Sequence, residues 1–153
     1  PSPDIDLSLL RTQYFEAQRK FHPDKAKNPQ DRLRFLQLSA DINIAYHTLE
    51  NVDSRLFYLL ALRGIPILSD TSNLSIPSGL LIEVMEWREQ ADAAVSKSER
   101  QHVMTIFTQM RHNFRTQCGV ALLDADNTQS AILSALKIRY LGKILQDMGM
   151  ASL

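Results

Sequence analysis

The chain has 153 residues, 44% of them hydrophobic, with seventeen Lys and Arg set against seventeen Asp and Glu. That length and apolar content suffice for one domain or two small ones, and the charge balance removes the broad positive field that gathers nucleic acid, so neither nucleic acid nor a membrane is an expected partner. The longest apolar run, Leu56 to Leu62, spans seven residues against the roughly 20 that cross a bilayer, so no transmembrane helix is expected.

Pro1 to Ile5 carries neither a basic head nor an apolar stretch, so no leader pattern is read there. From Leu7 the apolar positions Leu7, Leu10, Tyr14, Ala17 and Phe21 step by three and four, the stripe of an amphipathic helix, with Asp6 placed to cap it. That helix must stop before Pro23, leaving His22-Pro23-Asp24 in an exposed connection. A second helix opens at Asn28-Pro29, a cap followed by a first-turn proline, and carries Phe35, Leu38, Ile42, Ala45 and Leu49 on one side. The two form an antiparallel hairpin with a polar tip.

Leu56 to Leu62 reads as a short helix apolar on every side, to be wedged between neighbours, with Gly64 as its left-handed terminator. Ile65 to Pro77 has two prolines, repeated serines and no helical period, which places a boundary near residue 70 between units 1–69 and 70–153. Three further helices follow. The first runs from about Ser78 to Val95; the second opens with a capping box from Ser98 to Gln101 and carries Val103, Ile106, Phe107, Met110, Phe114 and Cys118; the third starts around Asp126 and Gln129 and reaches about Met148. No segment alternates with the strand period, so the fold class is all-α, a helical hairpin followed by a three-helix bundle. The single cysteine, Cys118, forms no internal disulfide and reads as a core residue of a protein from a reducing compartment.

At about 100° per residue, Leu80, Val84, Trp87, Ala91 and Ala94 share one arc about 100° wide, which serves as the core face. Leu81, Ile82 and Met85 fall on the adjoining arc beside Glu86 and Glu89, where an isolated surface helix would be polar, so a partner surface is expected there. On the last helix Ile132, Leu133, Leu136, Ile138, Tyr140, Leu141, Ile144, Leu145 and Met148 cover about two-thirds of the circumference, more than one neighbour can bury. His47, His102 and His112 form no ligand pair at helical spacing, and no metal site or cofactor is expected.

His22-Pro23-Asp24 is the feature that composition does not explain. Arg19, Lys20, Lys25 and Lys27 bracket it with positive charge, and Asn43-Ile44-Ala45-Tyr46 with Leu49 lies on the following helix. This arrangement resembles the J domain, whose H-P-D loop and preceding basic helix dock on a DnaK-type chaperone and promote its ATP hydrolysis. Asp53-Ser54-Arg55, Tyr58-Leu59-Leu60, Arg63-Gly64, Leu81-Ile82-Glu83, Met85-Glu86-Trp87-Arg88-Glu89 and Lys137-Ile138-Arg139-Tyr140-Leu141 are similar to the iron–sulfur J-proteins known in bacteria as HscB, over nearly the whole chain.

That resemblance implies a co-chaperone, not an enzyme. It assigns chaperone docking to His22, Pro23, Asp24, Arg19, Lys20 and Lys25, and binding of an iron–sulfur cluster scaffold protein to Leu81, Ile82, Met85, Glu86, Glu89 and Tyr140. It implies the cytoplasm for a bacterial source and the mitochondrial matrix for a eukaryotic one. The family's J domain starts with a short apolar helix, and only six residues precede Leu7 here, so the hairpin is expected to lack that cover and to lean on Tyr58, Leu59 and Leu60. Two rival readings stand beside this one: a J-protein serving a client outside iron–sulfur assembly, and an enzyme using His22 as a base with Asp24 or Asp41. The second conflicts with a convex, wet loop.

Overall fold

The structure is a computed structural model that describes residues 2–67 and 76–150. Among them six α-helices and two 3-10 turns occur and no strand: α1 (Leu7–Lys20), a turn at Pro23–Lys25, α2 (Pro29–Glu50), α3 (Val52–Leu62), α4 (Ser78–Ala93), α5 (Lys97–Ala121), a turn at Ala125–Asn127 and α6 (Thr128–Met150). The boundary expected near residue 70 falls outside the described residues.

The caps written in the sequence form where expected in the first half. The Asp6 carboxylate accepts the Ser8 and Leu9 amides at 2.8 and 3.0 Å, and Asn28 Oδ1 accepts the Asp31 amide at 2.8 Å ahead of Pro29. Gly64 takes a φ of +80° after α3, the left-handed geometry that a side chain would strain.

Two expected starts move. The capping box of α5 is Ser96 with Glu99, not Ser98 with Gln101: Ser96 Oγ accepts the Glu99 amide at 3.2 Å and Glu99 Oε2 accepts the Ser96 amide at 2.8 Å. A carboxylate is the stronger acceptor for that amide than a glutamine oxygen, and hydrogen bonds from the Ser96 amide and then its hydroxyl hold the Glu99 carboxyl below its ordinary range. Likewise α6 begins at Thr128, because Asp124 caps a preceding 3-10 turn by accepting the Asp126 amide at 3.0 Å, so Asp126 does not open the helix.

The core is one cluster. Leu56, Phe57, Leu59 and Leu60 of α3 and Ile67 are buried with Leu80, Val84 and Trp87 of α4, Phe107 and Cys118 of α5, and Leu136, Ile138, Leu141 and Ile144 of α6. Helix α6 packs on α3, α4 and α5, which is why its apolar girth exceeds what a single neighbour requires. By contrast α1 and α2 bury no residue fully; they hold each other through aromatic and polar groups described below.

A buried charge network ties α3 to α5. Asp53, 6% exposed, receives Arg115 Nε at 2.5 Å and Arg115 Nη2 at 3.0 Å, and is also paired with Arg111 Nη2. Arg111 reaches Asp53 past Gly142 of α6, where a Cβ would lie 2.9 Å from its Nη2. At the other end of α3, Arg63 donates to the Leu122 carbonyl at 2.5 Å, closing the end of α5. Arg55, also buried, donates to Pro3 O at 2.8 Å and to the Leu49 carbonyl, fastening the end of α2 and the segment ahead of α1.

Cys118 is buried, with Sγ 3.5 Å from the Ala131 carbonyl. Burial, with the Asp53 charge as the smaller cause, pushes its thiol up to about 12. At pH 8 the native thiolate fraction is then about one in ten thousand, so Cys118 should react with a disulfide reagent only after urea unfolding; rapid native labelling would contradict this burial. Replacing Asp53 by Ala leaves two guanidinium groups without their carboxylate and should cost about 3–5 kcal/mol in urea unfolding.

Candidate functional site

The tip between α1 and α2 is built by its own three residues. His22 is extended (φ −63°, ψ 132°), as a residue before proline must be, and Pro23 starts a single 3-10 turn closed by Lys25 N–H to His22 O at 2.9 Å and Ala26 N–H to Pro23 O at 3.2 Å. The His22 ring caps that turn: Nδ1 accepts the Asp24 amide at 3.3 Å, which leaves Nε2 as the protonated nitrogen of the neutral ring. The Asp24 carboxylate lies 3.5 Å from the same Nδ1, and the two side chains are 55% and 82% exposed. Such exposure supplies none of the water exclusion that a catalytic base needs, and Asp41 is bonded instead to Gln37 at 2.9 Å on α2.

Arg19 and Lys20 occupy the last turn of α1, where cations favour the helix dipole. Both are exposed, as is Lys25; Lys20 also places its ammonium 5.3 Å from the Phe21 ring. With Asp24 they make a protruding, mainly positive tip.

What holds the tip's two arms together is a polar ladder that the sequence reading did not single out. Tyr14 Oη donates to Asn43 Oδ1 at 2.9 Å, Gln18 Nε2 donates to the same oxygen at 2.7 Å, and Ser39 Oγ donates to Gln18 Oε1 at 2.8 Å. Tyr14 stacks on Tyr46 at 4.2 Å, and Phe21 meets Phe35 edge-on at 5.7 Å. The stripes of the two helices held Tyr14, Phe21 and Phe35, and Asn43 and Tyr46 lay in the Asn43-Ile44-Ala45-Tyr46 segment, whereas nothing marked Gln18 or Ser39. Tyr58 remains exposed beside Ile44, Ala45, Thr48 and Leu49 of α2, while Leu59 and Leu60 are buried in the main core.

The second set of expected residues lies on α4 and α6. Leu80, Val84, Trp87 and Ala94 are buried and Ala91 is half-buried, as the periodicity required. Leu81, Ile82 and Met85 are 46%, 59% and 70% exposed, with Glu86 and Glu89 exposed beside them. Tyr140 is half-buried at the edge of the core on α6, and Lys137 of that helix pairs with Glu83 of α4. The tip and the strip thus stand on different elements, joined through α3. Among the described residues no three His, Cys, Asp or Glu side chains come together in a way that could hold a metal ion. No helix among them is long and apolar enough to cross a membrane.

Comparison with known proteins gives the family of the chain. Residues 76–148 match the family model described as the HSCB C-terminal oligomerisation domain. A co-chaperone protein HscB homolog of Shewanella baltica (strain OS185) is 34% identical over 147 residues, covering 92% of this chain and 83% of the relative. This chain belongs to the HscB co-chaperone family. A homolog from Shewanella denitrificans is 32% identical over 162 residues, covering 97% of this chain and 89% of the relative. Among solved structures, chaperone HscB from Vibrio cholerae superposes with a TM-score of 0.80 at 27% identity, covering 99% of this chain and 91% of that one. Human co-chaperone protein HscB gives 0.87 at 26% identity, covering 99% and 77%. Membership makes iron–sulfur assembly the family setting, and the relatives' naming as co-chaperones accords with a non-enzymatic role.

Asn43 Oδ1 is the acceptor shared by both arms. Asn43→Ala should therefore strand the Tyr14 hydroxyl and the Gln18 amide and cost about 1–3 kcal/mol, read as earlier loss of hydrogen-exchange protection in α1 than in α5.

Proposed function

We propose that this chain is a J-type co-chaperone that stimulates ATP hydrolysis by a DnaK-type chaperone and delivers an iron–sulfur cluster scaffold protein to it. The observation that carries the reading is the His22-Pro23-Asp24 turn, self-capped by the His22 ring and held out in water at the end of a polar hairpin. Pro23 and the cap leave little conformational freedom to lose on docking. Arg19, Lys20 and Lys25 attract an acidic chaperone surface and make the encounter salt-sensitive. The chaperone's own ATPase site performs the chemistry, and the loop biases the state in which it does so.

In this reading residues 1–69 form the J unit and residues 70–153 the scaffold-binding unit. The exposed side chains of Leu81, Ile82 and Met85 supply the apolar contact, with Met85 adaptable in shape. Glu86 and Glu89 form an acidic rim that fits a partner patch of apolar residues fringed by basic ones, and Tyr140 anchors the edge. A J-protein for another client would use the same tip with a different occupant of the strip.

Single-turnover ATP hydrolysis by the chaperone, with scaffold present, tests the tip: stimulation by this chain should vanish in His22→Gln without change in circular dichroism. Persistent stimulation in the variant would sink the assignment. The strip is tested by calorimetric titration of the scaffold protein, where Leu81→Ala with Met85→Ala should weaken binding by about 2 kcal/mol, roughly 30-fold. Sedimentation of the same pair of proteins shows whether the strip instead holds a second copy: the variant would then lose mass while scaffold affinity stayed the same.

A further inference from the structure

The exposed strip on α4 and Tyr140 on α6 belong to different helices, so something must set how those helices stand against each other. Helix α4 starts without a side-chain cap at Pro77, and its far end is held by α5, where Arg100 Nε donates to the Ala94 carbonyl at 3.2 Å. Its buried stripe is Leu80, Val84 and Trp87, whose close packing sets the face turned to the core but supplies no directional polar bond to α6. A slip of one turn moves a helix about 5.4 Å along its axis.

Between α4 and α6, a directional contact in the middle of both helices opposes that slip. Lys137 Nζ lies 2.9 Å from Glu83 Oε1 and 2.7 Å from Oε2, and 5.1 Å from the centre of the Phe114 ring of α5. The Lys137 side chain is only 16% exposed and that of Glu83 41%. The ammonium therefore sits at the junction of α4, α5 and α6 with Glu83 as its carboxylate, and loses both partners' geometry if α4 turns or slides.

The pairing also fixes level. Lys137 stands 54 residues after Glu83. Further along, Arg88, Ala91 and Asp92 of α4 share a cleft with Ile144, Asp147 and Met148 of α6. The offset is nearly the same at both places, so the helices run side by side in one direction. That offset sets Tyr140 at about the level of the turn that holds Val84, Met85 and Glu86.

We propose that Lys137, acting through Glu83, is a positioning residue that seats α4 on α6 and so aligns the Leu81, Ile82 and Met85 strip with Tyr140 as one docking surface. The proposal rests on the reading of that strip as the scaffold site. Lys137 acts without touching the partner, so its loss must change the seating of α4 and not only the affinity. The chain's single tryptophan reports that seating: Trp87 is buried on α4, 6.3 Å from the same Phe114 ring that faces Lys137.

The test titrates purified iron–sulfur cluster scaffold protein into the full chain and into Lys137→Met, Lys137→Arg, Glu83→Gln and the Leu81→Ala, Met85→Ala double variant, recording Trp87 emission of each free protein. Lys137→Met and Glu83→Gln should bind about tenfold more weakly and emit at longer wavelength, with Lys137→Arg close to the parent. The double variant should lose affinity with its emission unmoved. Glu83→Gln alters a half-exposed side chain at constant shape, so the question stays open to measurement if Lys137→Met does not fold.

Full affinity in Lys137→Met and Glu83→Gln, beside a weakened double variant, overturns the positioning role and leaves the scaffold reading intact. Lost affinity with unmoved Trp87 emission also overturns it, since Lys137 would then act on the partner directly. Undiminished binding by the double variant removes the scaffold reading, and this proposal with it.

Discussion

The carboxylate of Asp53 is the point on which the remaining architecture depends. It sits in the first turn of α3, nearly out of water, with guanidinium groups of Arg111 and Arg115 closing on it from α5. A buried carboxylate is costly unless it is fully paired, and its pairs act over short distances and in fixed directions. The two arginines add a directional bond to the apolar packing of α3 against α5 and α6. Gly142 is part of the same constraint, because Arg111 crosses α6 where any side chain would meet it.

Through α3 this constraint reaches both candidate sites. Arg55 carries it back to the end of α2, by its bonds to Leu49 and Glu50 carbonyls, and to Pro3 ahead of α1. Arg63 carries it forward to the end of α5. The exposed tip therefore projects from an arm whose base is fastened by directional contacts, although neither helix of that arm buries a residue fully. An arm with a polar and aromatic interior holds its shape while leaving its outer face wet.

Helix α4 divides the opposite way. One face is spent on the core through Leu80, Val84 and Trp87, and the other keeps Leu81, Ile82 and Met85 in solvent next to carboxylates. Exposing that much apolar surface on one helix is unfavourable in isolation. Under the proposed function, this exposed area is the contact surface for the scaffold protein.

The sequence by itself determined the helical class, the breaks at Pro23 and Gly64, the caps Asp6 and Asn28, and both faces of α4, because each follows from local geometry or from a period of 3.6 residues. It also determined the tip, since His22, Pro23 and Asp24 are contiguous and need only one another to form their turn. Competing caps two residues apart, Ser96 against Ser98 and Asp124 against Asp126, were settled by the bonds each could complete in place. What only the tertiary structure decided are the pairings between residues far apart in the chain: Asp53 with Arg111 and Arg115, Gln18 with Ser39 and Asn43, Glu83 with Lys137. Each of these side chains is polar and would read as a solvated surface group in its own helix. Its partner is supplied by a neighbouring helix whose rotation no local period encodes.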